Sequence, residues 1–213
     1  MSFLSEELNE YIEGLLSSEP EILKQLDRET NLKVPYPNML TGHAQGRFLA
    51  FMSRMLQPEK ILEIGTYTGY SAICLAEGLR EGGELITLDK NPEVAEIAIR
   101  YFKNAGLENV ITRIEGDALE IIPTLEGNFD LIFLDADKEH YPEYLDLVLE
   151  KLSPDGLLMI DNTLWGGKVI GPAHSGDHET QGIQKLNKML SEDPNLESYL
   201  LPLRDGITLV RGQ

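Results

Sequence analysis

Apolar positions recur along this chain with two different periods. Over residues 1–56 the spacing is helical: Leu8, Ile12, Leu15 and Leu16 share one stripe, and Ile22, Leu23 and Leu26 share another. Ser18-Glu19-Pro20-Glu21 stands before the second stripe and reads as a capping box with proline in the first turn. Val34-Pro35-Tyr36-Pro37 must be extended, because the residue before a proline is crowded out of the α region. A third helix is expected from about Thr41, burying Ala44, Phe48, Phe51 and Met55.

From Lys60 the pattern changes to short apolar runs at 61–64, 85–88, 110–114, 131–134 and 157–160, separated by helical periodicity around 71–79, 92–105, 118–124 and 141–151. Strands this apolar and evenly spaced belong to a parallel sheet covered on both faces. The expected fold class is α/β, a doubly wound and mostly parallel sheet preceded by N-terminal helices. The last two runs, 196–201 and 207–211, flank Asp205-Gly206, a hairpin turn signal that predicts an antiparallel C-terminal pair on one edge. Residues 1–213 read as a single domain, with a helical preface over 1–56 and an α/β core over 57–213.

Composition narrows the partners. A chain of 213 residues with 42% hydrophobic content buries roughly 70% of its unfolded surface, enough for a core without staples. Its formal charge of -18 repels phosphodiester backbones and anionic headgroups, so general nucleic-acid or membrane-surface binding is disfavoured while cations are welcome. Cys74 is the only cysteine, which excludes an internal disulfide and suits a reducing cytoplasm. The opening Met1-Ser2-Phe3-Leu4-Ser5-Glu6-Glu7 has neither the basic region nor the apolar run of a signal peptide. No apolar stretch approaches the length of about 18 residues needed to span a bilayer.

Open α/β sheets bind ligands beyond the carboxyl ends of their strands. The first strand ends in Glu63-Ile64-Gly65-Thr66-Tyr67-Thr68-Gly69-Tyr70-Ser71, whose two glycines let backbone approach a ligand. The spacing is neither the dinucleotide G-x-G-x-x-G nor a P-loop, and a plain strand-to-helix turn explains it equally. The second strand ends at Asp89, 24 residues beyond Gly65, placed to accept ribose hydroxyls, so turn and acid together suggest an adenosine-containing cofactor. Glu63 would repel the pyrophosphate of NAD and attract a cationic ligand.

The fourth and fifth strands end in Asp135-Ala136-Asp137-Lys138 and Asp161-Asn162. If they are neighbours, their tips lie about 4.8 Å apart, and Asp135, Asp161 and Asn162 offer three hard oxygens suited to Mg²⁺ or Ca²⁺ rather than zinc. The plainer reading is that the two aspartates cap the segments that follow. Lys138 is close enough to share the site; a dication and a second positive ligand beside it would lower its pKa and make it a base. Its alternative is a surface lysine balancing Asp137 and Glu139. His174 and His178 have the i, i+4 spacing of a zinc pair, but the intervening Ser175-Gly176-Asp177 speaks for a loop. Trp165, just after the proposed metal residues, either packs against an aromatic substrate or serves ordinary packing.

Ile61 to Ser71, Gly116-Asp117-Ala118-Leu119, Leu134-Asp135-Ala136-Asp137-Lys138 and Asp161-Asn162-Thr163-Leu164-Trp165-Gly166-Gly167 together resemble the caffeoyl-CoA and catechol type of S-adenosylmethionine-dependent O-methyltransferase. The similarity runs in order from Thr41 to Arg211 and is looser before it. It implies a Rossmann-like methyltransferase sheet and a cofactor site of Thr41, Glu63, Gly65, Thr66 and Ser71 on the methionine side, Asp89 at the ribose, Asp117 and Ala118 near the adenine, and Asp135. It implies a divalent cation, Mg²⁺ or another such as Ca²⁺ or Mn²⁺, on Asp135, Asp161 and Asn162, with Lys138 and Asp135 catalytic. It further implies a small-molecule substrate, a vicinal dihydroxy aromatic, and a homodimer. Some relatives methylate a hydroxylated uridine in tRNA, for which Arg47, Arg54 and Lys168 could form a docking patch. A nucleotide-binding oxidoreductase or a non-catalytic cofactor sensor is the reading from a different class.

Overall fold

The computed structural model describes residues 5–212, so the first four of the residues Met1 to Glu7, on which the expectation of no signal peptide rests, lie outside the described residues. The chain forms two compact units that divide after Asp117. The first contains α1 (Glu6–Leu15), α2 (Glu21–Lys33), a 3-10 turn (Pro37–Met39), α3 (Gly42–Leu56), β1 (Lys60–Ile64), α4 (Tyr70–Ala76), β2 (Glu84–Asp89), α5 (Ala95–Asn104) and β3 (Ile111–Glu115). Its strands are parallel in the order β3-β2-β1.

The second unit runs through α6 (Ala118–Ile121), β4 (Phe129–Leu134), a 3-10 turn (Lys138–His140), α7 (Tyr141–Lys151), β5 (Leu152–Asp161), a kinked helical segment (Trp165–Ile170), α8 (His178–Glu192), β6 (Leu196–Leu201) and β7 (Ile207–Gly212). Here the order is β4-β5-β7-β6, with β4 and β5 parallel and β7 antiparallel to both β5 and β6. The expected α/β class, mostly parallel with an antiparallel C-terminal pair, is what the chain adopts. Ile61, Leu62 and Ile64 of β1 and Leu131, Ile132, Phe133 and Leu134 of β4 are buried whichever way they point, as strands covered on both faces require. Among the described residues no helix is long and apolar enough to cross a membrane.

Two local expectations are corrected. No side chain caps α2: Pro20, at φ -56 and ψ 142, is still extended, so the helix begins one residue later and its first turn bonds to the Pro20 carbonyl. Glu19 instead accepts a hydrogen bond from the Tyr70 hydroxyl. The second correction concerns α3, whose Phe51 and Met55 are 61% and 69% exposed while Gln45, Gly46, Leu49, Ala50 and Ser53 are buried. The small residues decide that face. A Cβ on Gly46 would lie 2.5 Å from Tyr70 Cε1 and 2.9 Å from Cys74 Sγ, so α4 approaches α3 where there is least side chain.

The helical preface is tied to the sheet layer through Glu29 of α2. Its carboxylate accepts bonds from both terminal nitrogens of Arg100 (2.8 and 3.0 Å) and from the Tyr101 hydroxyl (2.9 Å) on α5, and pairs with Lys33 at 2.9 Å. The Arg100 bonds, then the Lys33 bond, hold its pKa well below the ordinary 4.5, at about 2. In the second unit α8 lies against the 3-10 turn that carries Lys138: a Cβ on Gly182 would sit 2.2 Å from the Lys138 carbonyl oxygen and 2.8 Å from that of Glu139.

A carboxyl whose folded pKa is depressed contributes stability in full above its unfolded pKa and loses it as pH falls through the folded one. Urea denaturation of Glu29→Gln should therefore show a deficit against the unmodified protein at neutral pH that closes as pH drops from 4.5 to about 2. Gly182→Ala should lower unfolding free energy by about 1–3 kcal/mol, although alanine is the better helix former by about 1 kcal/mol, because the crowded backbone must shift. A Gly182→Ala variant more stable than the original in the same titration would show that the contact is loose.

Candidate active site

In the first unit β1 delivers Glu63 and then turns through Gly65 and Gly69 into α4. Gly69 has φ 92, and a Cβ there would meet Phe102 Cε1 at 2.6 Å, so both conformation and space require glycine. Gly65 donates its N–H to Leu88 O at 2.9 Å. The Glu63 side chain is fully buried, and its Oε2 accepts from the Thr87 hydroxyl at 2.5 Å. Thr87 and Thr66 hydroxyls are 2.6 Å apart. Because the single hydroxyl hydrogen of Thr87 goes to Glu63, Thr66 is the donor to Thr87. A directed chain from Thr66 through Thr87 thus orients the Glu63 carboxyl.

Asp89 closes β2. Its Oδ2 accepts the Tyr67 backbone N–H at 2.6 Å and its Oδ1 that of Asn91 at 2.8 Å, so it shapes the glycine turn as well as facing outward. Each oxygen keeps lone-pair capacity for a further donor such as a ribose hydroxyl. Arg113 on β3 holds the same loop, donating to Asn91 O at 2.8 Å. The Tyr67 hydroxyl reaches Pro35 O and Tyr36 O at 3.2 and 3.3 Å, pinning that segment to the turn, and Tyr36, expected to be extended, is instead left-handed at φ 59 and ψ 51, where the chain bends into the 3-10 turn. Thr41 is buried at the start of α3 and Ser71 in the first turn of α4. Asp117 follows Gly116, whose N–H donates to Asp89 O at 3.1 Å.

In the second unit Ala118 is buried at the start of α6. Leu134 of β4 is in register with Ile160 of β5, so Asp135 and Asp161 hold equivalent positions one residue beyond, on strands about 4.8 Å apart. The adjacency that the metal reading required is present. Asp161 is buried and its Oδ1 accepts the Asn162 N–H at 2.8 Å, with Asn162 in the left-handed region at φ 63, which asparagine tolerates. Lys138 is buried in its 3-10 turn and donates to Asp135 Oδ1 at 2.7 Å and to Ala136 O at 2.8 Å. The Tyr141 hydroxyl donates to Asp161 O at 3.1 Å, and the ring of Tyr141 lies 5.2 Å from Lys138 Nζ.

Burial alone would lower the Lys138 pKa, but Asp135, Tyr141 and Asp161 raise it by more. The downward shift expected beside positive ligands is therefore not what the chain's own groups produce: they keep the ammonium charged. Tyr141, Thr87, Tyr67 and Arg113 went unread in the sequence. Thr87 left one weak signal, a hydroxyl at an inward position of an apolar strand.

Trp165 lies in the loop after β5, with Lys168 Nζ 5.6 Å from the centre of its ring. His178 opens α8 and lines a shallow groove with Glu139, His140, Glu143 and Lys185, a groove that His174 does not line. Among the described residues no three His, Cys, Asp or Glu side chains gather as a metal site. Arg47 and Arg54 both pair with Glu77, Arg47 at 2.6 Å with its side chain only 9% exposed, so Arg47 is withdrawn from the surface while Arg54 stays exposed. Cys74 is buried, and burial pushes its thiol up to about 12, which makes it inert at neutral pH.

Known proteins are similar to this chain in sequence and fold. An O-methyltransferase family model matches residues 13–213. Caffeoyl-CoA O-methyltransferase 2 of Populus trichocarpa is 36% identical over 97% of this chain and 89% of its own. The solved structure of the Podospora anserina methyltransferase PaMTH1, bound to SAH, superposes with a TM-score of 0.90 at 33% identity, covering 100% of this chain and 98% of that one. The O-methyltransferase TomG of Streptomyces achromogenes, involved in tomaymycin synthesis and solved with SAM, gives 0.88 at 31% identity over 97% of this chain and 96% of that one. With a family model matched over residues 13–213 and a relative 36% identical across 97% of its length, the chain belongs to the S-adenosylmethionine-dependent O-methyltransferase family and is similar to its caffeoyl-CoA members.

Proposed function

We propose that this enzyme transfers the methyl group of S-adenosylmethionine to one hydroxyl of a small vicinal dihydroxy aromatic, of catechol or hydroxycinnamoyl type, with a divalent cation and Lys138 as the base. The observation that carries the reading is the pair of aspartates at equivalent ends of β4 and β5 with buried Lys138 bonded to one of them. Thr41, Glu63, Gly65, Thr66 and Ser71 take the methionine side of the cofactor, Asp89 the ribose, Asp117 and Ala118 the adenine, and Asp135 a further contact. The relatives solved with SAM and SAH support that ligand.

The donor chemistry fits a hard cation: Asp135, Asp161 and Asn162 offer oxygen only, and two carboxylates face one ammonium. Mg²⁺ is the natural occupant, with Ca²⁺ or Mn²⁺ as substitutes. Bound there, the cation would acidify and align the substrate hydroxyl. The hydroxyl oxygen then attacks the methyl carbon in line with the breaking carbon–sulfur bond, S-adenosylhomocysteine leaves, and the proton passes to Lys138 Nζ in its neutral form, which the positive charge of the bound cation and sulfonium would favour over the ammonium. Trp165 packs against the acceptor ring. Residues 1–213 act as one domain, in the cytoplasm, as a homodimer; exposed Phe51 and Met55 on α3 and Tyr11 and Leu15 on α1 supply apolar surface for a second copy.

Radiolabelled methyl transfer to a panel of catechols, hydroxycinnamoyl thioesters and undermodified tRNA, with and without Mg²⁺, tests the reading: incorporation into the aromatic acceptors is expected, and incorporation into tRNA alone would replace them as substrate class. Lys138→Ala should reduce turnover by about 10²–10⁴-fold with S-adenosylmethionine affinity within about twofold, and an unchanged rate removes its role as base. Asp161→Ala should abolish metal-dependent transfer, whereas full activity in excess chelator would sink the metal assignment.

A further inference from the structure

The loop after β5 holds three successive residues in the left-handed region, Trp165 (φ 47), Gly166 (φ 61) and Gly167 (φ 83). Glycine adopts that region freely; tryptophan does not, because its Cβ crowds the following carbonyl. Strain of this kind persists only where surrounding structure imposes it.

The turn between β6 and β7 imposes it here. Asp205 uses two of its acceptors on the segment: its carbonyl takes the Leu164 N–H at 2.8 Å and its Oδ1 the Gly166 N–H at 3.3 Å, the two amides that flank Trp165. Gly206 O accepts from Thr163 N–H at 3.1 Å, and the Thr208 hydroxyl donates to that of Thr163 at 2.9 Å. From α8, Asn187 Nδ2 donates to Thr163 O at 2.8 Å. The Asp205 carboxylate thus reaches out of its own turn to a second loop. At its centre the indole Nε1 of Trp165 is buried without a hydrogen-bond partner. A buried indole N–H is costly unless an acceptor arrives.

We propose that Asp205 is a positioning residue: by fixing the amides on either side of Trp165 it sets the indole, with its spare N–H, for an oxygen-bearing acceptor substrate. The proposal rests on the reading of Trp165 as an acceptor contact. In this role Asp205 acts on the acceptor through the 164–166 backbone.

Trp165 is the only tryptophan in the chain, so its emission reports this loop directly. Asp205→Ala should move the emission to longer wavelength, raise acrylamide quenching about twofold, and raise the KM for caffeoyl-CoA, used as the acceptor probe, by about tenfold. S-adenosylmethionine affinity by calorimetry should stay within about twofold. Asp205→Asn, whose amide oxygen still accepts, should restore both emission and KM. If Asp205→Ala does not fold, Asp205→Glu, one methylene too long, carries the same expectation. Unmodified emission and KM in the alanine protein overturn the proposal. Changed emission with unchanged KM overturns the acceptor role, and Trp165→Phe then locates the fault: an equally unchanged KM there shows that the Trp165 reading failed, a raised one that Asp205 was misassigned.

Discussion

Carboxyl groups buried at the ends of parallel strands are the constraint on which the rest of this protein depends. Glu63 and Asp161 are almost wholly removed from water, and a carboxylate so placed must find donors inside the protein. In the first unit Thr87 serves Glu63 and is itself served by Thr66, which commits two strand-end hydroxyls to orienting one acid. In the second, Asp161 takes the amide of Asn162, and the field of Lys138 balances it together with Asp135. A group with so many obligations has little freedom, which fixes the geometry at both strand ends.

The same demand shapes the loops. Asp89 spends both oxygens on backbone amides of two turns and so builds the surface it presents. Where helices come close, the contact is made by missing side chains. Gly46 admits Tyr70 and Cys74, and Gly182 admits the carbonyls of the turn that holds Lys138. Such contacts are rigid because backbone has nowhere to go, which ties α8 to the placement of the lysine.

Much of this was legible in the chain. Apolar runs marked β1, β2 and β4 to within a residue or two, since strands buried on both faces leave a continuous signal. β5 begins earlier than its apolar run because its first half, Leu152-Ser153-Pro154-Asp155, is partly exposed and polar. Asp135, Lys138, Asp161 and Glu63 stood out as charges at strand ends. Thr87, Tyr67, Arg113, Tyr141 and Asp205 did not, because each acts on a backbone atom or a side chain contributed by a distant part of the chain, and nothing in their local spacing betrays it. The outward turn of Phe51 and Met55 was misread for a related reason: periodicity locates an apolar stripe but does not say whether large or small residues meet the neighbouring helix.

By itself the sequence determined the α/β class, the antiparallel ending and the identity of the acids that gather at the strand ends, because hydrophobic period and strand polarity are local properties written in consecutive residues. Only the tertiary structure decided which donors those acids receive, which face of α3 is covered, and how the β6–β7 turn holds Trp165 in a conformation that tryptophan would not choose. Those outcomes depend on hydrogen bonds and steric contacts between residues tens of positions apart, and distance along a chain carries no record of them.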